Sequence, residues 1–292
     1  MPTITGELKE WHKVTLDFQS AQSFQEAPET FRDHRLDVTF TNQDTGEVLV
    51  IPGFFAADGD AAESGATSGN VWRVHFNPPS DGNWTYQASF RTGNDVAAST
   101  NPNAGSPASL TGATSGSLTI AETDKTGEDF RAKGMILQDE GTHYLQHQGD
   151  GDYFIRGGPG VPENFLATTD FDNTGEGRHN FNAHAGDYNA GDPTWDGGQG
   201  KNIVGAVNYL EEQGQNTIYV LTNTIGGDGQ DVGPWVDPDI YDVAKNKNSI
   251  QDAANSTSGL SADAFSTYDV SKLAQWEILF DHMDAKGIYK NI

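Results

Sequence analysis

The sequence predicts a multidomain chain: an all-β, immunoglobulin-like sandwich followed by the first part of a (β/α)8 TIM-type barrel, left incomplete. Three observations carry this expectation. Apolar and polar residues alternate in twos along a series of short segments before residue 125. Beyond residue 150 the pattern changes to apolar strand, polar loop and amphipathic helix in turn. The last such unit starts at residue 287 and the sequence stops at Ile292, on the third barrel strand of the eight that a closed ring needs. Residues 1–125 are therefore assigned to an N-terminal β-sandwich and residues 126–292 to the start of a barrel.

In the first region, residues 11–18 (WHKVTLDF) keep the two-residue period of a half-buried strand. Segments 35–41, 47–54, 70–76, 83–90 and 117–121 repeat it. The sequences NQDTG at 42–46 and SDGN at 80–83 carry hairpin-type turn chemistry. Trp11, Phe18, Phe40, Trp72, Phe76, Trp84, Tyr86 and Phe90 are expected to fill the core, because their spacing puts them on inward faces rather than on a sugar-binding surface. GATSG occurs at 65–69 and again at 112–116, each time before a strand, which reads as shared loop chemistry. Residues 96–117 lack periodicity and read as a linker or long surface loop. Residues 134–137 and 143–147 read as a hairpin sealing the barrel entry.

In the second region, a strand at 153–156 runs into Gly157 and Gly158. A helix at 203–213, a buried strand at 217–222 (TIYVLT), a helix at 270–286 and a strand at 287–292 follow. Asp269 is the expected N-cap of the last helix and Gly287 its terminator. Leu273, Trp276, Ile278, Leu279, Phe280 and Met283 recur at helical spacing and form its core-facing stripe.

Composition narrows the function. The chain carries 42 acidic and 17 basic residues, a net charge of −25. Such a surface repels phosphate backbones and argues against nucleic-acid binding. No apolar run has bilayer-spanning length, so no membrane partner is expected. Without cysteine there are no disulfides and no thiolate chemistry. The first six residues show neither the basic nor the apolar part of a signal peptide.

The active sites of barrels lie in the loops that follow the strands. The loop from 157 to about 201 is far longer than a connection requires. It holds Glu163, Asn164, His179, His184 and Trp195, which offer the amide, imidazole, carboxylate and flat aromatic groups that sugars need. The loop from 223 adds Asn223, Asp228 and Trp235. A solvated loop with locally bonded side chains is the competing account of both. Glu163 follows the glycines at a strand end, but its expected role there is structural, with residues 162–164 capping the turn that follows, and no catalytic residue is assigned within the chain. DFDNTG at 170–175 resembles half of an EF-hand loop, but Phe181 stands where the bidentate Glu belongs. No metal or other cofactor is expected.

Five segments together resemble a known bacterial family: GELKEWHKVTL at 6–16, FAADG at 55–59 with WRVHF at 72–76, GGPGVPENFL at 157–166, GGDG at 226–229 and DVSKLAQWE at 269–277. The family comprises bacterial glycoside hydrolases in which an N-terminal β-sandwich of unassigned role precedes a (β/α)8 barrel, and this chain looks like its N-terminal portion. The resemblance implies a secreted or periplasmic protein acting on a plant or algal poly- or oligosaccharide. It implies cleavage of O-glycosidic bonds by two carboxylates that would lie beyond residue 292, at the ends of later strands. The alternative is a non-catalytic carbohydrate-binding or extracellular structural protein.

Overall fold

The computed structural model describes residues 1–160, 164–174, 179–223, 232–236 and 265–292. They form two compact units: Met1–Asp60 with Ala66–Phe154, and Ala61–Gly65 with Ile155–Ile292. The fold is β-rich with few helices, and the described residues close no barrel.

The first unit is built on two antiparallel five-stranded sheets. One contains β1 (Thr3–Thr5), β2 (Val14–Gln25), β5 (Phe54–Phe55), β6 (Ser68–Phe76) and β9 (Leu110–Thr111). The other contains β3 (His34–Asn42), β4 (Val48–Pro52), β7 (Gly82–Thr92), β8 (Ser106–Pro107) and β10 (Ser115–Ile120). Strand period decides which residues face inward: Trp84, Tyr86, Ala88 and Phe90 are buried on β7, and Leu36, Val38 and Phe40 on β3. The inner faces meet through aromatic rings. Phe40 stacks on Phe76 at 3.9 Å, and Trp72 lies 4.8 Å from Phe90. Seven of the eight aromatics expected in the core are buried there.

Trp11 departs from the expected strand. Its φ is +61°, β2 begins only at Val14, and its indole fits against Gly134 and Gly149, where a Cβ would come within 2.8 and 2.4 Å of the ring. The reason is the turn ahead of it. Gly6, at φ +93°, lets the chain fold so tightly that a Cβ there would stand 2.3 Å from the Lys13 carbonyl oxygen.

Turn chemistry decides two connections differently. Asn42 accepts from the amides of Asp44 and Thr45 and makes 42–46 a true hairpin between β3 and β4. Residues 80–83, read as a second hairpin, instead carry the chain from β6 in one sheet to β7 in the other.

The segment read as a linker at 96–117 is held in place. The Arg91 guanidinium donates to the carbonyls of Asn103, Ala104 and Gly105. Arg35 donates to those of Val96, Ser99 and Asn101. The loop then supplies β8 to one sheet and β9 to the other. Periodicity could not reveal this, because the order comes from two distant arginines.

Residues 126–154 lie in the first unit. They form a small antiparallel sheet of β11 (Ile136–Gln138), β12 (Leu145–His147) and β13 (Tyr153–Phe154). The expected first barrel strand at 153–156 is thus, at Tyr153–Phe154, the edge of an antiparallel sheet.

In the second unit, β14 (Thr217–Tyr219) and β15 (Tyr289–Asn291) pair in parallel. Residues 157–159 run alongside β14 in the same direction: the Asn216 amide donates to the Gly157 carbonyl and the Tyr219 amide to the Pro159 carbonyl, at 2.8 and 3.3 Å. Gly158 permits this approach, since a Cβ there would stand 1.8 Å from the Thr217 carbonyl oxygen. Among the described residues, five α-helices accompany these sheets: α1 (Pro28–Arg32), α2 (Ala61–Ser64), α3 (Phe130–Lys133), α4 (Lys201–Glu212) and α5 (Val270–Ala285). The chain passes through α4 between residues 157–159 and β14, and through α5 between β14 and β15. The core joins Ile203, Val204 and Val207 of α4 to Trp276, Leu279 and Met283 of α5 and to Ile218 and Ile288.

The buried face of α5 is not the purely apolar stripe expected. Lys272, Gln275 and His282 are buried on it, while Leu273, Ile278 and Phe280 are only partly buried. The helix meets neighbouring loops as well as a sheet, and their carbonyls and amides need polar partners.

Candidate functional site

The chain leaves the ends of the parallel segments through the loops that hold the expected site residues. Asn216 organises the start of this region. Its side chain accepts from the Gly157 amide at 2.7 Å and donates to the Ile155 carbonyl at 2.9 Å, while its carbonyl receives the Tyr289 amide. One residue thus ties three successive backbone segments together.

Beyond residues 157–159, Asn164 begins a turn in which the Ala167 amide donates to its carbonyl at 2.9 Å. Phe165, Leu166, Ala167 and Thr168 are buried below it. His179 is exposed and paired through its backbone with Ala167 and Thr169. Its ring lies 5.6 Å from that of Phe181. His184 sits in a 3-10 turn, Asn182–Asp187, that packs on α4. Gly205 makes that packing possible, because a Cβ there would be 2.1 Å from the His184 carbonyl oxygen. The His184 Nδ1 lies 2.9 Å from the Asp187 carboxylate and the ring 4.8 Å from Tyr209. Both His184 and Asp187 remain partly open to solvent. Asn223 is exposed four residues past the end of β14.

The two tryptophans are placed differently from a stacking platform. Trp195 is 0% exposed, stacked on Phe171 at 5.0 Å, and its Nε1 donates to the Asp170 carbonyl at 2.7 Å. Trp235 is 3% exposed, and its Nε1 donates to the Phe265 carbonyl at 2.9 Å. Neither ring offers a face to a pyranose, since both faces are packed. Glu163 and Asp228 lie outside the described residues.

Two buried polar clusters, neither visible as a motif, fix these loops. In the first, the Asn208 amide donates to the Asp187 carbonyl at 2.8 Å and the Asp192 carboxylate at 2.7 Å. Both partners only accept, so the Asn208 oxygen must face His282, 2.9 Å away, and His282 Nε2 must carry the proton. Burial pushes the His282 imidazole below its ordinary range and keeps it neutral. Burial raises the Asp192 carboxyl, but hydrogen bonds from Asn208 and Asn189 outweigh it and hold the group below the usual carboxylate range.

In the second cluster, Asp269 caps α5. It accepts from the Lys272 amide, the Ser271 hydroxyl and the Asn173 side chain. The Lys272 ammonium, 1% exposed, donates to the carbonyls of Asn173 and Trp235 at 3.1 and 3.2 Å. The loop carrying the EF-hand-like residues is thereby committed to α5, and the amide of Asp172 donates to Gln275 as well. Burial also raises the Asp170 carboxyl above its ordinary value, against a backbone hydrogen bond from Gly200.

Comparison with known proteins adds three findings. Residues 7–91 match the family described as "Domain of unknown function (DUF5060)". No curated protein matches the chain. The fold resembles the crystal structure of "a putative glycoside hydrolase from Bacteroides vulgatus". The TM-score is 0.54 at 16% sequence identity, over 97% of this chain and 40% of that one. The likeness is one of fold, and the chain spans about two fifths of that protein's length. No helix among the described residues is long and apolar enough to cross a membrane.

Proposed function

We propose that this chain is the N-terminal portion of a polysaccharide-degrading glycoside hydrolase: an immunoglobulin-like sandwich joined to the opening strands and helices of a (β/α)8 barrel. The observation that supports this reading most is the order of the second unit. Residues 157–159, α4, β14, α5 and β15 follow one another, with all three extended segments parallel. That is the repeating unit of a barrel, and the fold likeness covers it.

The substrate in this reading is a plant or algal poly- or oligosaccharide, met outside the cytoplasm. Asn164, His179, His184 and Asn223 supply groups for sugar hydroxyls from the loops after the parallel segments, with Glu163 and Asp228 on the same loops. Trp195 and Trp235 act in this proposal only by holding those loops. The two carboxylates that cleave the O-glycosidic bond, one as acid and one as base or nucleophile, come from strands beyond residue 292.

The test compares residues 1–292 with a protein extended through a complete barrel, on a panel of algal and plant polysaccharides. Release of reducing ends by the extended protein alone is the expected result. Hydrolysis by residues 1–292 would place the carboxylates inside this chain instead. Retention on a glycan column with no hydrolysis by either protein would favour a binding module.

A further inference from the structure

Glu7, His12 and Asp124 are separated in sequence by up to most of the first unit, yet their ligand atoms lie within 4.8 Å of one another. The fold brings them together in two steps. The tight loop at Gly6 turns residues 7–12 back toward β2. The chain after β10 then runs beside that loop: the Glu10 amide donates to the Ala121 carbonyl and the Ala121 amide to the Leu8 carbonyl, both at 2.9 Å. Asp124 follows three residues later.

His12 decides what the cluster can do. Its side chain is 2% exposed. Nδ1 lies 2.8 Å from the Glu10 carbonyl oxygen, which can only accept, so Nδ1 carries the proton. In the neutral ring Nε2 then presents a lone pair. This buried atom has no hydrogen-bond partner. It points at Glu7 Oε2 and Asp124 Oδ1, 3.8 and 4.0 Å away. An imidazole fixed by a backbone carbonyl, with its other nitrogen directed at two carboxylates, is the arrangement of a metal-ligating histidine.

We propose that Glu7, His12 and Asp124 bind a divalent transition metal of the zinc class, which staples the N-terminal loop to the chain leaving β10. Bonds of about 2.1 Å at tetrahedral angles put neighbouring ligand atoms roughly 3.4 Å apart. The two His12–carboxylate separations need a contraction of only about half an ångström to reach that, and the two carboxylates, 45% and 57% exposed and within 4.8 Å of each other, close the remaining side by moving their exposed side chains. Calcium and magnesium take oxygen ligands and have no use for the imidazole. Three protein ligands leave a fourth position for water.

Two lysines compete for the same oxygens. Lys9 Nζ bonds Glu7 at 3.0 Å and also contacts Asp124, while Lys125 Nζ lies 3.1 Å from Glu7 and 3.4 Å from Asp124. Both side chains are about a quarter exposed, at 25% and 26%, so the ammonium groups can move into water when a cation takes their place. The lysines thus set the affinity, and removing one should raise it.

The experiment is calorimetric titration of zinc chloride into the chelator-stripped, tag-free chain, with thermal melts alongside. One zinc ion per chain with a raised melting temperature is the expected result. Glu7→Gln and Asp124→Asn, both at exposed side chains, should each weaken binding about tenfold or more. Lys9→Met should strengthen it severalfold and by more than Lys201→Met, at a lysine of the second unit, whereas adventitious binding to an acidic surface would respond alike to either change. Calcium at the same concentration should leave the melt unchanged. Absence of saturable zinc binding, equal affinity in the carboxylate variants, or weaker binding in Lys9→Met would each overturn the proposal.

Discussion

His75 shows how one side chain links packing to pH. It stands on β6 opposite Thr15, whose hydroxyl lies 2.9 Å from Nδ1, and its ring packs 5.3 Å from Phe54. Burial first, and then the charges of Lys13 and Arg73, push its imidazole down to about 3. The unfolded chain takes up that proton near the ordinary value of 6.5 while the folded chain does not. Its contribution is therefore complete above about pH 6.5 and is lost as the pH falls from there toward about 3. The urea midpoint should decline across that window, and His75→Gln should flatten the decline when midpoints are measured at a series of pH values. Trp195 carries a prediction about packing instead. Trp195→Ala removes a fully buried indole stacked on Phe171 and should cost about 3–5 kcal/mol in urea unfolding. A residue exposed for sugar stacking would lose far less. The chemistry of Trp195 was plain in the sequence, but its burial follows from Phe171, which stacks on it, and from Gly200, against which its ring lies.

At the level of elements, what could be read depended on how far the causes reach. The alternation in 35–41 and 83–90 located β3 and β7 because each strand buries every second residue. Asp269 was readable as the cap of α5 because the amide it satisfies, that of Lys272, is three residues away. Its second role, beside the buried Lys272 ammonium at 3.9 Å, was not readable. Asp269→Ala should thus cost more than a simple cap, about 3 kcal/mol or more by thermal or urea unfolding, whereas Asp269→Asn keeps the cap but not the charge beside Lys272 and should recover only about 1 kcal/mol of the loss. Strand order was harder. The turn at 80–83 has the residues of a hairpin, yet Phe76 and Trp84 on either side pack in opposite sheets across one core. Likewise Tyr153 pairs with Gln146 in an antiparallel register, so the extended run that accompanies β14 begins only at Gly157.

For the whole molecule, charge is the dominant long-range term. A net charge of −25 repels itself in the folded state more than in the expanded chain. Salt screens that repulsion within about 10 Å at 0.1 M. The melting temperature should rise between low and moderate sodium chloride in scanning fluorimetry; a fall would mean that ion pairs such as Arg73–Asp17, at 2.7 Å, outweigh the overall charge. The division into units was legible only in part. A change of pattern from β to alternating β and α is present in the sequence, but the strands at 136–154 belong with the first unit because of contacts such as those of Trp11 with Gly134 and Gly149.

Sequence alone was enough for alternating strands such as β3 and β7, the helices α4 and α5 with the Asp269 cap, the turn at 42–46, most of the aromatic interior of the sheets and the acidic charge, since each depends on neighbours a few residues away or on composition. Tertiary structure was needed to bury Trp195 and Trp235, to pin residues 96–117 with Arg35 and Arg91, and to gather Glu7, His12 and Asp124 around one point. Those outcomes depend on which distant segments the folded chain makes adjacent, and no local pattern records that.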